Sequence, residues 1–205
     1  MNKPILLSAT LLIGLSSCLL QPQAQPISTS SAPAAGASSK EEKIFERWAA
    51  LGEGMLGVSH DTKGSKMEWK VVPEGPKRGQ KALLLDYDLK QGGWCGAWHT
   101  TNHLDLSKVD GVRFMAKMDP PGAVMFSMTD ANRVSYVTNF QVPSKEWTEI
   151  RIPLAALDKN PNYQPDDAKQ GKPVDWSRTT SMNFDARTDG QAKLWIGPVA
   201  IDDAQ

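Results

Sequence analysis

From Lys81 to the C-terminus, apolar and polar residues alternate with a period of two, and turn-forming residues cut the alternation into short lengths. Leu83, Leu85 and Tyr87 alternate in KALLLDYDL, Val112, Phe114 and Ala116 in DGVRFMAKM, and Val124, Phe126 and Met128 in AVMFSMT. VSYVTNF, WTEIRIPL, SMNFDAR and KLWIGPVAID follow. GlnGlyGly at 91–93, AspProProGly at 119–122, AspAlaAsn at 130–132 and AspGly at 189–190 supply the residues that tight turns need. Strand side chains point alternately to opposite faces, so each stretch can bury one face and wet the other. About eight such strands, with no long helical pattern between them, predict an all-β fold of two packed antiparallel sheets.

Two segments break the pattern. In SKEEKIFERWAAL at 39–51, Ile44, Phe45, Trp48 and Leu51 share a helical stripe, and Ser39 with Glu42 has the spacing of a capping box. This predicts a short N-terminal helix, with a first strand through Ile44–Glu46 as the alternative. Segment 158–178, punctuated by proline, reads as a long irregular loop.

The opening MNKPILLSATLLIGLSSC carries positive charge at Lys3, then an apolar run from Ile5 to Leu15. About eleven residues are too few to span a bilayer, which takes about 20, and suit the core of a signal peptide. Leu15-Ser16-Ser17-Cys18 resembles the bacterial lipobox. The resemblance implies lipidation of the Cys18 thiol and cleavage before it; the alternative is an ordinary secretory peptide cleaved after Ala24. Leu19, where an Asp would by the same analogy favour inner-membrane retention, points to the outer membrane. Residues 21–40 are dominated by Pro, Ala, Ser, Gln and Gly, too little apolar surface to offset the entropy of ordering them. The expected organisation is a signal peptide at 1–17, a lipidated Cys18 and flexible linker over 18–40, and one domain over 41–205.

Composition adds limits. A domain of about 160 residues buries about 70% of its unfolded surface, enough for a core without disulfide staples. The chain has 23 basic and 23 acidic residues, with no basic stripe, which argues against a nucleic-acid partner. The two cysteines sit in unrelated settings, and Cys95 between Trp94 and Gly96 reads as a buried free thiol. His60, His99 and His103 have no cysteine or carboxylate cluster fitting a metal around them. Nucleophile-elbow, P-loop, zinc-protease and dinucleotide motifs are absent, so the chain reads as a non-enzyme.

Candidate binding chemistry lies in two places. Trp94 and Trp98, in GGWCGAWHT, are four apart with Gly96 between them. On a strand they share a face, either filling the core or presenting a flat aromatic strip. In SMNFDAR, Met182, Phe184 and Ala186 alternate with Ser181, Asn183, Asp185 and Arg187, a row that is either a solvated face or the polar floor of a ligand site. Over 134–140, Tyr136 and Asn139 fall on opposite faces, so only one of them reaches that floor. Tyr163 and Trp176 flank the long loop and are candidates to line its edge as a rim. Flat aromatics beside Asn, Asp and Arg suit a sugar, whose rings offer a C–H face and a belt of hydroxyls.

DLSKVDGVRFMAK, EWTEIRIPLAAL and WIGPVAID, in that order, resemble the galactose-binding-like jelly rolls, and most closely carbohydrate-binding module family eleven. GEGMLGVSHDTKGS at 52–65 resembles, less closely, the Gly-rich motif of the complex I intermediate-associated protein family, whose Gly-Gly-x-Ser is here Leu56-Gly57-Val58-Ser59. The first resemblance implies a jelly-roll β-sandwich that binds a polysaccharide or cell-envelope glycan without cleaving it. The second implies a protein-interaction or assembly module on the same fold. The jelly-roll resemblance also assigns Trp147 and Trp195 to scaffold motifs, hence to the core, and Trp48 and Trp69 are likewise expected to be structural. It further implies a structural calcium where first and last strands meet, with Glu46 and Asp202 as its acids; no other cofactor is implied.

Overall fold

The computed structural model describes residues 43–48 and 55–203. The expected signal peptide, the expected lipidation site Cys18, the expected linker and the Ser39–Glu42 spacing read as a capping box lie outside them. The described chain forms twelve strands: β1 (Ile44–Glu46), β2 (Leu56–His60), β3 (Lys66–Val72), β4 (Ala82–Leu89), β5 (Cys95–Leu104), β6 (Gly111–Asp119), β7 (Gly122–Thr129), β8 (Ser135–Val142), β9 (Thr148–Pro153), β10 (Asp158–Lys159), β11 (Thr179–Ala186) and β12 (Gly190–Asp202). The first sheet runs β3-β4-β12-β6-β9 and the second β10-β8-β7-β11-β5-β2, with every pairing antiparallel. These are the two layers of a jelly-roll β-sandwich.

Alternation places the core as the sequence predicted. Leu83, Leu85, Tyr87, Val112, Phe114, Ala116, Val124, Phe126, Met128, Met182, Phe184 and Ala186 all face inward and are buried. Phe114 of the first sheet meets three phenyl rings of the second, with centroids 6.3 Å from Phe126, 5.6 Å from Phe140 and 5.5 Å from Phe184. The long loop holds only the two-residue β10 and a 3-10 turn at Trp176–Arg178.

The predicted helix is not formed at Ile44–Glu46. That stretch is β1, which pairs with β12 at Ala200 and Val199. β4 accompanies β12 only as far as Ile196, and the register breaks before Val199 at Gly197 and Pro198. β1 fills the space beyond. Its hydrogen bonds to a free strand edge outweigh a local helical stripe too short to hold itself. Trp48, as expected, is buried, donating its indole N–H to the Gly197 carbonyl at 2.8 Å.

Trp147 and Trp195 are a correction. They lie on the outer face of the first sheet, half-buried in a second small cluster with Val72, Ala82 and Leu84. The Lys117 ammonium sits between them, 5.2 Å from one ring and 4.8 Å from the other. The cation–π contacts explain how two large aromatics tolerate partial exposure there. Trp69 lies on edge strand β3 and is 37% exposed.

Candidate functional site

The register of the second sheet assembles its outer face from residues far apart in sequence. One row across the strands runs Gly57, Trp98, Asn183, Ser127 and Val137. The next runs Ser59, Gly96, Asp185, Met125 and Asn139. Asn183, Asp185 and Asn139 therefore share one face with Trp98, and Arg187 continues it one step past the end of β11. Five strands about 4.8 Å apart make a floor roughly 19 Å wide, the length of a short oligosaccharide.

The aromatic strip is exposed. Trp98 keeps 36% and Trp94 49% of their surface open, while Cys95, Ala97 and His99 between and beyond them are buried. Trp94 is fixed through its backbone. Its N–H donates to the Asp61 carboxylate and its carbonyl accepts from the Asp61 N–H at 3.0 Å. The Ser65 hydroxyl and the backbone N–H groups of Trp94, Lys63 and Ser65 all donate to the Asp61 carboxylate and hold its pKa down at about 2.

Tyr136 does not reach the floor. It pairs in register with Met128 and turns inward, its ring 5.2 Å from that of Trp176. Trp176 likewise packs against the core instead of lining a rim, whereas Tyr163 is 61% exposed. Asn139 takes the outward place. The loop after β10 is tied to the first residue of β8: the Gln164 amide accepts from the Ser135 N–H and donates to the Ser135 carbonyl, both at 2.9 Å.

Asp185 is electrostatically distinct. A Cβ at position 96 would overlap its carboxylate, so Gly96 lets the side chain lie down on the floor. Burial raises its pKa to about 6, against the pull of the Arg187 guanidinium. The Arg187 Nη2 is itself 2.8 Å from the Met125 sulfur. The floor thus offers amide groups, an unusually basic carboxylate and a guanidinium beside an apolar ring face, which can hold hydroxyls and stack on C–H bonds.

The predicted calcium ligands do not come together. Glu46 turns towards the second sheet, its Oε2 2.7 Å from His99 Nε2. Burial pushes the Glu46 carboxyl up, but hydrogen bonds from His99 and the Trp48 N–H outweigh it and leave it below the usual range. Asp202 instead faces Arg113 at 3.8 Å and Arg151 at 3.7 Å. Among the described residues no three or more His, Cys, Asp or Glu side chains converge as metal ligands. Cys95 is the buried free thiol expected, pushed up to about 11 by burial, with Asp185, Asp61 and Asp88 adding to the shift.

Sequence reasoning found the Trp98 and Asn183–Arg187 halves of the floor. It missed Met125, Ser127 and Gly57. The first two were legible as the outward alternates of Val124, Phe126 and Met128, but nothing in the sequence says that β7 lies beside β11.

A two-sheet jelly roll that exposes tryptophan beside a row of amides and charges on one sheet face is the frame of a carbohydrate-binding module, a non-catalytic domain type. The chain belongs to carbohydrate-binding module family 11: the model of that carbohydrate binding domain family matches residues 28–199. The family 11 module of the cellulosomal cellulase Lic26A-Cel5E of Clostridium thermocellum is similar in fold, with a TM-score of 0.65 and 20% identity over 82% of this chain and 97% of that one. A Clostridium thermocellum family 11 module in complex with a β-1,3-1,4-mixed-linked tetrasaccharide gives 0.64 and 20% over 80% and 96%. Mannan endo-1,4-beta-mannosidase of Bifidobacterium adolescentis is 27% identical over 107 residues, which cover 50% of this chain but only 10% of that protein.

Proposed function

We propose that the outer face of the second sheet binds a neutral polysaccharide, with a mixed-linkage β-1,3-1,4-glucan as the first ligand to test. The observation that carries this reading is the cross-strand row that sets the exposed Trp98 ring in line with Asn183 and next to Asp185 and Asn139. Trp98 supplies the stacking surface; Asn183, Asp185 and Asn139 exchange hydrogen bonds with ring hydroxyls; Trp94 and Arg187 bound one end. The solved complex of the Clostridium thermocellum relative supports the choice of glucan, and the mannosidase relative makes β-mannan the second candidate.

Isothermal titration of the chain with mixed-linkage glucan and with mannan tests this. Trp98→Ala is expected to weaken binding roughly tenfold or more, as for an aromatic anchor at the centre of a contact, in a variant whose unfolding transition shows it still folded at the titration temperature. Equal affinities of the variant and the parent would refute the reading. No binding to any glycan on an array, by a well-folded sample, would favour a protein partner.

We further propose that the module is held at the outer membrane through lipid on Cys18, with 18–40 as its tether. The support is the lipobox-like Leu15–Cys18 sequence and the low-complexity stretch after it. Radiolabelled palmitate should enter the full chain expressed in a Gram-negative host and should not enter the Cys18→Ala variant. Equal labelling of the two would exclude this anchor.

A further inference from the structure

Resting on the glycan-face reading above, we propose that Gly57 is a positioning residue for the Trp98 indole. β2 is an edge strand of the second sheet, and Gly57 pairs directly with Trp98. A Cβ built at Gly57 would stand 2.5, 2.7 and 2.9 Å from Cζ2, Cε2 and Nε1 of the indole. Three ring atoms at such similar distances mean that the ring lies over the glycine, extending outward from β5 across β2. One tryptophan thereby covers two strands and keeps an open face.

The backbone does not call for glycine at this position. Gly57 is not among the residues with positive φ, unlike Gly64, Gly79, Gly92 and Gly190. A glycine inside a strand weakens it relative to alanine, because it loses more chain entropy and packs no side chain. What the missing Cβ provides here is room for the ring. The clash created by alanine falls on the far end of an exposed side chain and not on backbone, so the indole moves and the fold stays.

The test is a four-corner cycle of the parent, Gly57→Ala, Trp98→Ala and the double variant. It is read by thermal unfolding, by titration with mixed-linkage β-1,3-1,4-glucan, and by acrylamide quenching of tryptophan emission. Gly57→Ala should unfold at or above the parent midpoint, bind about three- to tenfold more weakly, and alter the quenching contributed by Trp98. The double variant should bind no worse than Trp98→Ala alone, because the glycine acts only through that ring.

Parental affinity in Gly57→Ala, with binding lost in Trp98→Ala, would overturn the inference and leave the glycan face standing. Additive losses would overturn it too, since Gly57 would then act by another route. Parental affinity in Trp98→Ala would remove the glycan face itself. Should the glucan not bind at all, the quenching comparison still decides: Trp98 emission unchanged by Gly57→Ala would show that the glycine does not set the ring.

Discussion

Phe114→Ala should cost about 3–5 kcal/mol of folding stability, a large part of the roughly 5–15 kcal/mol that holds a domain together. Phe114 is 3% exposed and is the first-sheet ring that meets three phenyls of the second sheet, Phe126, Phe140 and Phe184. Truncation removes the transfer energy of the ring and the edge-to-face contacts with Phe140 and Phe184, and it leaves a void between two stiff layers that cannot close over it. The effect should appear as a lower urea midpoint with an unchanged slope. Glycan affinity, measured at a temperature where the variant is folded, should stay near the parent value, because Phe114 faces away from the outer floor. A loss below about 1 kcal/mol would mean that the four rings do not meet between the sheets.

The core was legible because one rule, alternation, applied to β4, β6, β7 and β11. Each apolar set named from the sequence is an inward set in the structure, and the outward set of β11 followed with it. The rule fails where exposure is settled by neighbours. Trp147 and Trp195 sit in strand-like sequence and look like core, yet they face outward and are kept by Lys117 between them. Ile44 and Phe45 fit a helical stripe, yet an open edge of β12 claims them. The site was legible by halves for a related reason. Alternation states which residues of one strand share a face, but not which strands are neighbours. Asn139 and Tyr136 remained undecided until the pairing of β8 with β7 fixed the first outward and the second inward. Gly57 and Gly96 could be noted in the sequence but not given these roles, because the use of a missing Cβ appears only once the Trp98 ring and the Asp185 carboxylate lie over them.

Asp185→Asn should change stability and binding in opposite directions. The Asp185 carboxyl titrates at 3.8 when free and at about 6 in the folded chain. Between these values the folded chain holds more protons than the unfolded one, so stability falls as pH rises through that window. Above about 6 the cost of burying the charge is complete, about 3 kcal/mol as an upper bound and less with the partial solvent contact that the side chain retains. Asparagine has no charge to bury. The variant should therefore be more stable by about 1–3 kcal/mol at neutral pH, nearly equal to the parent near pH 4, and flatter between the two. Binding should run the other way. A hydroxyl donating to a carboxylate makes a charge-assisted hydrogen bond, which the amide oxygen replaces with a weaker neutral one. Parental affinity for glucan should thus rise as pH passes upward through about 6, and the variant should lose that rise. Chemical denaturation and calorimetric titration at pH 4, 6 and 8 measure both. A variant less stable than the parent at pH 8 would show that the carboxylate supports the fold, and would end the assignment of Asp185 to the ligand. Gained stability with lost affinity is instead what a carboxylate held half-buried for a ligand predicts, since the fold carries the desolvation cost and the sugar supplies the donors.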